Sequence, residues 1–405
     1  MRKIELLSPA GDMSKLKTAF LFGADAVYIG GKSMSLRALA GNFEESEILE
    51  AVDFAHKLNK KVYVTVNIFA RNYDIEKAEE YFKFLEKANV DGAIISDPGL
   101  IYLAREVAPN LAINLSTQAN ALNYKTVEFW KNQGVKRVIL ARELSFKEIK
   151  EIKEKVKNIE IETFIHGAMC ISYSGRCLLS DYRTGRSSNR GACVQACRWE
   201  FEIREKGSDC GYMQMEEDER GTYILNSKDL NLIDYIKEID DAGICSVKIE
   251  GRMKSEYYLA TVVNAYRRAL DEYYEKGEGY KNNPLYKEEL EKTAHREFTT
   301  AYALGENDRT VNYDDSQSKG SYKFIANVLE DFNGEYTLVE MRNRFKRGDL
   351  LQVLSPNETF NSEFVVDRIE DEKGNIVEDA KIVQQKLKLY LDLNLKKGDI
   401  LRIKN

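Results

Sequence analysis

Cys170, Cys177, Cys193 and Cys197 follow one another with the spacing C-x6-C-x15-C-x3-C, the densest concentration of reactive side chains in the sequence. Four thiolates complete the ligation of a 4Fe-4S cluster, and tetrahedral zinc accepts the same donors. Structural zinc sites usually pair cysteines two to four residues apart, so the long gaps suit a cluster better than a ribbon or finger. Cys210 lies close enough to replace Cys197 as fourth ligand, whereas Cys245, inside an apolar run, reads as a small core residue. The start of the chain has no signal-peptide core, so the expected compartment is the reducing cytoplasm, where six cysteines point to metal or redox chemistry rather than disulfides.

Other polar residues fall where the elements around them end. His166 stands four residues before Cys170, and an imidazole has an unperturbed pKa near neutrality, which suits proton transfer. His166, Lys248 and Glu250 are the candidate catalytic residues, with Glu250 orienting a cation or acting as a base. Arg142, Lys248 and Arg252 supply cations that match carboxylate or phosphate, and Asn67 and Gln118 complete a candidate binding pocket. The competing reading is a ring of salt bridges closing a barrel mouth. The cysteine stretch is also rich in arginine, with Arg176, Arg183, Arg186, Arg190, Arg198 and Arg204 against Asp181, Glu200 and Glu202. Arg183 and Arg186 are candidate contacts to a polyanion. His56 reads as a structural helix residue, and the role of His295 is open.

Positioning such groups requires a frame, and apolar runs supply one. Eight of them alternate with helical patterns: 4–8, 26–30, 62–68, 92–96, 112–116, 137–141, 159–165 and 245–250. Ser145 and Glu148 form a capping box ahead of an apolar stripe at Phe146, Ile149, Ile152 and Val156. Eight strand and helix units predict a TIM-like (β/α)8 barrel; an open doubly wound sheet usually has fewer strands and a G-x-G-x-x-G after the first, which is missing here. A long connection after the seventh strand, about 168–226, holds all four clustered cysteines and leaves the end of the barrel where active sites lie. The barrel is expected over 1–275, a partly helical linker over 276–320, and a small β-barrel domain over 321–405, where turn signals punctuate alternating apolar and polar residues.

Composition excludes several classes. The 405 residues are 43% hydrophobic and 31% charged with only 5 prolines, a globular balance. No apolar run approaches the roughly 20 residues of a membrane helix. A net charge of -6 argues against indiscriminate coating of nucleic acid and leaves local basic surfaces as the route to it.

The phrase Glu162-Thr-Phe-Ile-His-Gly-Ala-Met-Cys-Ile-Ser-Tyr-Ser-Gly-Arg-Cys resembles the signature of peptidase family U32, the collagenase-like peptidases. Leu7-Ser-Pro-Ala-Gly, Lys248-Ile-Glu-Gly-Arg-Met-Lys-Ser, His295-Arg-Glu-Phe-Thr-Thr and Glu340-Met-Arg-Asn-Arg-Phe are similar to family patterns elsewhere, so the resemblance spans nearly the whole chain. Within the family the chain is most similar to the prephenate-dependent tRNA uridine 5-hydroxylases; it departs from them at Ala301, where they tend to have glycine. The resemblance implies a 4Fe-4S cluster on the four cysteines, tRNA as substrate and prephenate as co-substrate. A peptidase and a non-catalytic iron-sulfur scaffold are the alternatives. Against the peptidase, the sequence has neither H-E-x-x-H nor G-x-S-x-G.

Overall fold

The computed structural model describes residues 3–32, 34–35, 42–169, 180, 184, 186, 194, 203–204, 212–213, 228–305 and 319–405. The cysteines at 170, 177, 193, 197 and 210, and Arg183, lie outside the described residues.

Runs rich in Val, Ile and Tyr favour extended backbone, and every expected run forms a strand. In chain order these are β1 (Glu5–Pro9), β2 (Ala26–Gly30), β3 (Lys61–Val66), β4 (Gly92–Ile95), β5 (Ile113–Leu115), β6 (Arg137–Ile139) and β7 (Glu160–Ala168). There follow a two-residue antiparallel pair, β8 (Ile203–Arg204) and β9 (Tyr212–Met213), then β10 (Asp229–Asn231), β11 (Ser246–Ile249) and β12 (Phe298–Thr299). Strands β1 to β7 pair in parallel in sequence order, and β11 pairs in parallel with both β7 and β1, which closes an eight-stranded barrel. Intervening helices start where short polar side chains accept first-turn amides: Asp12, Asp97, Asn123 and Ser145 cap Met13–Leu21, Pro98–Val107, Tyr124–Asn132 and Phe146–Lys155. The Ser145/Glu148 capping box is present, and Ile149 and Ile152 of that helix are buried.

The long strand β7 does more than close the ring. Its pairing with β11 shifts register between Lys248 and Ile249, so that Phe164 faces Lys248 but His166 faces Ile249. Its far end pairs antiparallel with β10, Asn231 opposite His166, and β12 joins β10 in parallel. Gly167 has φ +102°, and a Cβ there would lie 2.4 Å from the Glu250 carbonyl oxygen, so only glycine fits where β7 passes the loop after β11. The span expected as a linker carries β12 and the helix Pro284–Leu290, and Tyr286, Leu290, Ala301 and Ala303 are buried in the barrel's own core.

The C-terminal region is a seven-stranded antiparallel sheet around a second core that includes Ile325, Val339, Met341, Leu387 and Leu389. Its strands and a small side pair are β13 (Tyr322–Val328), β14 (Tyr336–Met341), β15 (Phe345–Lys346), β16 (Leu350–Leu354), β17 (Glu363–Val365), β18 (Arg368–Asp371), β19 (Asp379–Ala380), β20 (Lys386–Tyr390) and β21 (Ile400–Lys404). Gly334, Gly348, Gly374 and Gly398, at turns of this region, all adopt positive φ. A buried ionic cluster fastens this sheet to the barrel body. Arg402 of β21 and Glu289 of the helix Pro284–Leu290 are both fully buried; Arg402 Nη2 donates to Glu289 Oε2 at 3.0 Å and Arg402 Nε to Gln352 Oε1 at 3.1 Å. Lys292 lies 2.9 Å from the same carboxylate.

Candidate active site

Parallel closure brings the carboxyl ends of the barrel strands and the loops after them to one mouth. Asn67 follows β3 and Gln118 lies on the turn after β5; the Asn67 amide donates to Gln118 Oε1 at 3.1 Å. Arg142, half-buried after β6, donates from Nη1 to the Ala168 carbonyl at 2.9 Å, and its guanidinium sits 4.1 Å from the centre of the Phe164 ring. The start of the cysteine-bearing connection is thereby held beside the Asn67, Gln118 and Arg142 side of the mouth.

Lys248 lies deeper, within β11. It is 4% exposed, with Nζ 4.1 Å from the Tyr28 ring centre, 5.5 Å from that of Phe164 and 3.5 Å from Glu162 Oε1. Burial lowers its affinity for a proton, against the opposing pull of Glu162 and Glu250. Below it the inward side chains form an ionic floor: Arg137 reaches Glu5 at 2.6 Å, Glu160 at 2.8 Å and Glu162 at 3.0 Å. Burial alone would raise the Glu5 carboxyl, but Arg137 and Lys61 more than offset it and hold the pKa at about 2. Lys248 thus belongs to a paired cluster inside the barrel, beneath the mouth and not a ring of salt bridges closing it, while Phe164 links it to Arg142 at the mouth.

Arg252, expected to meet substrate, has its guanidinium engaged by the protein instead. It is 3% exposed; Nη1 donates to Ser35 Oγ at 2.9 Å and Thr65 Oγ1 at 3.2 Å, and Nη2 to Asn42 Oδ1 at 2.7 Å. A Cβ on Gly30 would strike that guanidinium at 2.3 Å. Arg252 therefore ties the loop after β2 to β3 across the rim. Glu250 is half-buried; its amide donates to the His166 carbonyl at 2.9 Å, and its own carbonyl accepts from the Tyr258 hydroxyl at 3.0 Å.

His166 differs most from expectation. Its ring is 1% exposed and packed among Tyr258 and Tyr266 of the helix Glu256–Lys276 and Phe298 of β12, with centroids 6.1, 5.6 and 5.6 Å away. Nδ1 is 3.5 Å from the Tyr266 hydroxyl. Burial, with the charges of His295 and Lys254, pushes its pKa down to about 3, so the ring is neutral at physiological pH rather than poised near neutrality. The register shift in β7 is the physical reason, because one extra residue in a strand turns the following side chain to the other face. The other histidines are also engaged: His56 Nε2 lies 3.0 Å from Asp91, and His295 stacks on Phe298 at 4.1 Å.

Arg186 is exposed; its carbonyl accepts from Ser180 Oγ at 2.7 Å. Cys245, expected in the core, is half-buried with Sγ 3.2 Å from the Ile161 carbonyl. Among the described residues no group of three or more His, Cys, Asp or Glu is placed to hold a metal ion. No helix among them is long and apolar enough to cross a membrane. Sequence reasoning missed Tyr28, Phe164 and Glu162, which the period-two alternation of β2 and β7 places on the barrel's inner face beside Lys248. It also missed Tyr266, whose hydroxyl donates to the Ile165 carbonyl at 2.9 Å and accepts from Leu232 N at 3.2 Å.

Comparison with known proteins agrees with this architecture. The model of peptidase family U32 matches residues 11–313, and that of the U32 C-terminal domain matches residues 320–402. A tRNA hydroxylation protein of Bacillus subtilis is 44% identical over 99% of this chain and 95% of its own length. A tRNA hydroxylation protein of Escherichia coli is 39% identical over 92% of this chain and 90% of its own. A 23S rRNA 5-hydroxycytidine synthase of Escherichia coli is 37% identical over 66% of this chain and 39% of its own length. With both domain models matched end to end along the barrel and the C-terminal sheet, the chain belongs to peptidase family U32.

Proposed function

We propose that this chain is an iron-sulfur tRNA-modifying enzyme that hydroxylates the wobble uridine at carbon 5, with prephenate as co-substrate. The observation that carries the reading is the near full-length similarity to two tRNA hydroxylation proteins, which includes both the barrel and the C-terminal sheet. The ribosomal RNA relative, a synthase of a 5-hydroxylated pyrimidine, supports hydroxylation as the reaction class. Uridine and prephenate rest on the resemblance of the sequence phrases to the hydroxylases, and the cluster rests on that resemblance together with the spacing of the four cysteines.

The donor chemistry fits a cluster. Cys170, Cys177, Cys193 and Cys197 supply the four thiolates that a 4Fe-4S centre needs, and when bound it provides a one-electron redox centre. Cys170 comes two residues after Ala168, whose carbonyl Arg142 holds at the mouth, which supports a cluster close to the mouth. Prephenate carries two carboxylates. Arg142, half-buried on the Phe164 face, is the cation best placed to meet one, with the amides of Asn67 and Gln118 as further polar contacts. Lys248 contributes positive potential from beneath, and Arg252 shapes the rim rather than touching the ligand.

The peptidase alternative gains nothing from the histidines, since His166 is enclosed and neutral, His295 is stacked and His56 is paired with Asp91. The test is a reconstituted reaction under anaerobic conditions with tRNA lacking the modification. Formation of 5-hydroxyuridine that stops when prephenate is omitted is the expected result; formation at the same rate without prephenate refutes the co-substrate, and cleavage of a peptide substrate without RNA modification refutes the reading.

A further inference from the structure

The C-terminal sheet presents a solvent face whose chemistry differs from that of the chain as a whole. Strands β14, β20 and β18 lie side by side, with Tyr336 opposite Tyr390, Leu338 opposite Lys388, Glu340 opposite Lys386, and Tyr390 opposite Arg368. Alternation buries Val339, Met341, Leu387, Leu389 and Ile369 and turns the intervening residues outward. The two tyrosine rings are 5.5 Å apart. Lys388 Nζ lies 5.2 Å from the centre of Tyr336, and the Arg368 guanidinium 4.3 Å from that of Tyr390.

Charge and position both select an occupant. With Arg342 just past β14, the face carries Arg342, Arg368, Lys386 and Lys388 against the carboxylates of Glu340, Glu370 and, at its Tyr390 end, Glu335, on a chain whose net charge is -6. The pair Arg342–Glu340 is half-exposed, and the Arg368 guanidinium is exposed above its nearly buried partner Glu370, so a phosphate reaches both arginines from solvent. The Arg342 end of the face lies on the mouth side of the barrel. Arg342 and Asn343 donate to the Ile325 carbonyl at 2.7 and 3.1 Å, and the neighbouring Phe324 stacks at 5.8 Å on Tyr257, in the first turn of the helix that leaves the mouth after β11. The buried Arg402–Glu289 pair keeps that arrangement fixed.

We propose that this face of β14, β20 and β18 is a docking surface for tRNA, with lysine and arginine on the phosphates and Tyr336 and Tyr390 as stacking platforms for unpaired bases. The inference rests on the tRNA reading above and adds the surface that holds the RNA while its nucleotide reaches the mouth. It is tested by tRNA binding to the full chain, measured across a salt series, for the wild type, Lys386→Glu with Lys388→Glu, and Tyr336→Ala with Tyr390→Ala, each checked by thermal unfolding. The double lysine variant is expected to bind at least about tenfold more weakly, with a log–log salt slope smaller by about one for each phosphate left without its cation. The double tyrosine variant is expected to bind more weakly with the slope unchanged. Folded lysine variants that bind within about twofold of the wild type at the same slope overturn the surface and leave the tRNA reading standing. A wild-type chain that binds no tRNA overturns both.

Discussion

Arg252 Nη1 donates to Ser35 Oγ at 2.9 Å although the two residues are 217 apart in sequence, and its other terminal nitrogen donates to Asn42 at 2.7 Å. One planar fork thus fastens two points of the loop after β2. Arg252→Lys replaces the fork with a single charge centre and should not restore what Arg252→Ala loses. Hydrogen exchange of the peptide covering residues 31–43 is the check. Faster exchange in both variants is expected; unchanged exchange with lost activity would return Arg252 to the role of a ligand-binding charge.

The paired cluster inside the barrel makes an asymmetric prediction. Lys248→Met removes one buried charge but leaves Glu162 bonded to Arg137 at 3.0 Å, whereas Glu162→Ala leaves Lys248 without its carboxylate and takes one of three carboxylates from Arg137. Glu162→Ala should cost roughly 3–5 kcal/mol in denaturant unfolding and Lys248→Met clearly less. Equal losses would mean that the cluster is not organised around Glu162.

His166 sets a pH signature. Its folded pKa, about 3, lies below its ordinary 6.5, so the unfolded chain binds the proton first as pH falls. The stability it contributes is complete above pH 6.5 and is lost between 6.5 and 3, at about 1.4 kcal/mol per pH unit within that window. Unfolding free energies at pH 7 and 5 should therefore differ by about 2 kcal/mol more in the wild type than in His166→Phe, provided the variant folds. His166→Gln serves as a smaller change with the same sign. A wild type and variants with parallel pH profiles would show that the ring is not enclosed.

Much of this organisation is legible in the sequence. The eight barrel strands are marked by β-branched runs between amphipathic helices, and Asp97, Asn123 and Ser145 announce helix starts at the mouth. Arg142 and Gln118 sit where strand ends predict. The orientation of His166 is not legible, because the register shift opposite Ile249 arises only when β7 and β11 pair. Nor is the engagement of Arg252, whose partners Ser35, Asn42 and Thr65 are brought to it by barrel closure. Glu289 and Arg402 read as ordinary surface charges until the two cores meet, 113 residues apart in sequence.

That meeting of cores is itself testable. Arg402→Ala leaves Glu289 buried with Lys292 as its remaining cation and should destabilise the protein by about 3–5 kcal/mol, the range for breaking a buried pair. Replacing both Arg402 and Glu289 with apolar residues should recover much of the loss. A single-variant cost below about 1 kcal/mol would mean that the pair behaves as a surface bridge.

The central claim is tRNA hydroxylation by a cluster-bearing barrel, and nucleoside mass spectrometry of total tRNA tests it most directly. Three strains suffice: one lacking this chain and any paralogue of overlapping activity, one restored with the wild type, and one restored with Cys193→Ala. The account predicts 5-hydroxyuridine and its derivatives absent in the first, present in the second and absent in the third, with anaerobically purified wild type brown and holding about four irons per chain. Undiminished 5-hydroxyuridine in the deleted strain, or full restoration by Cys193→Ala, would contradict it.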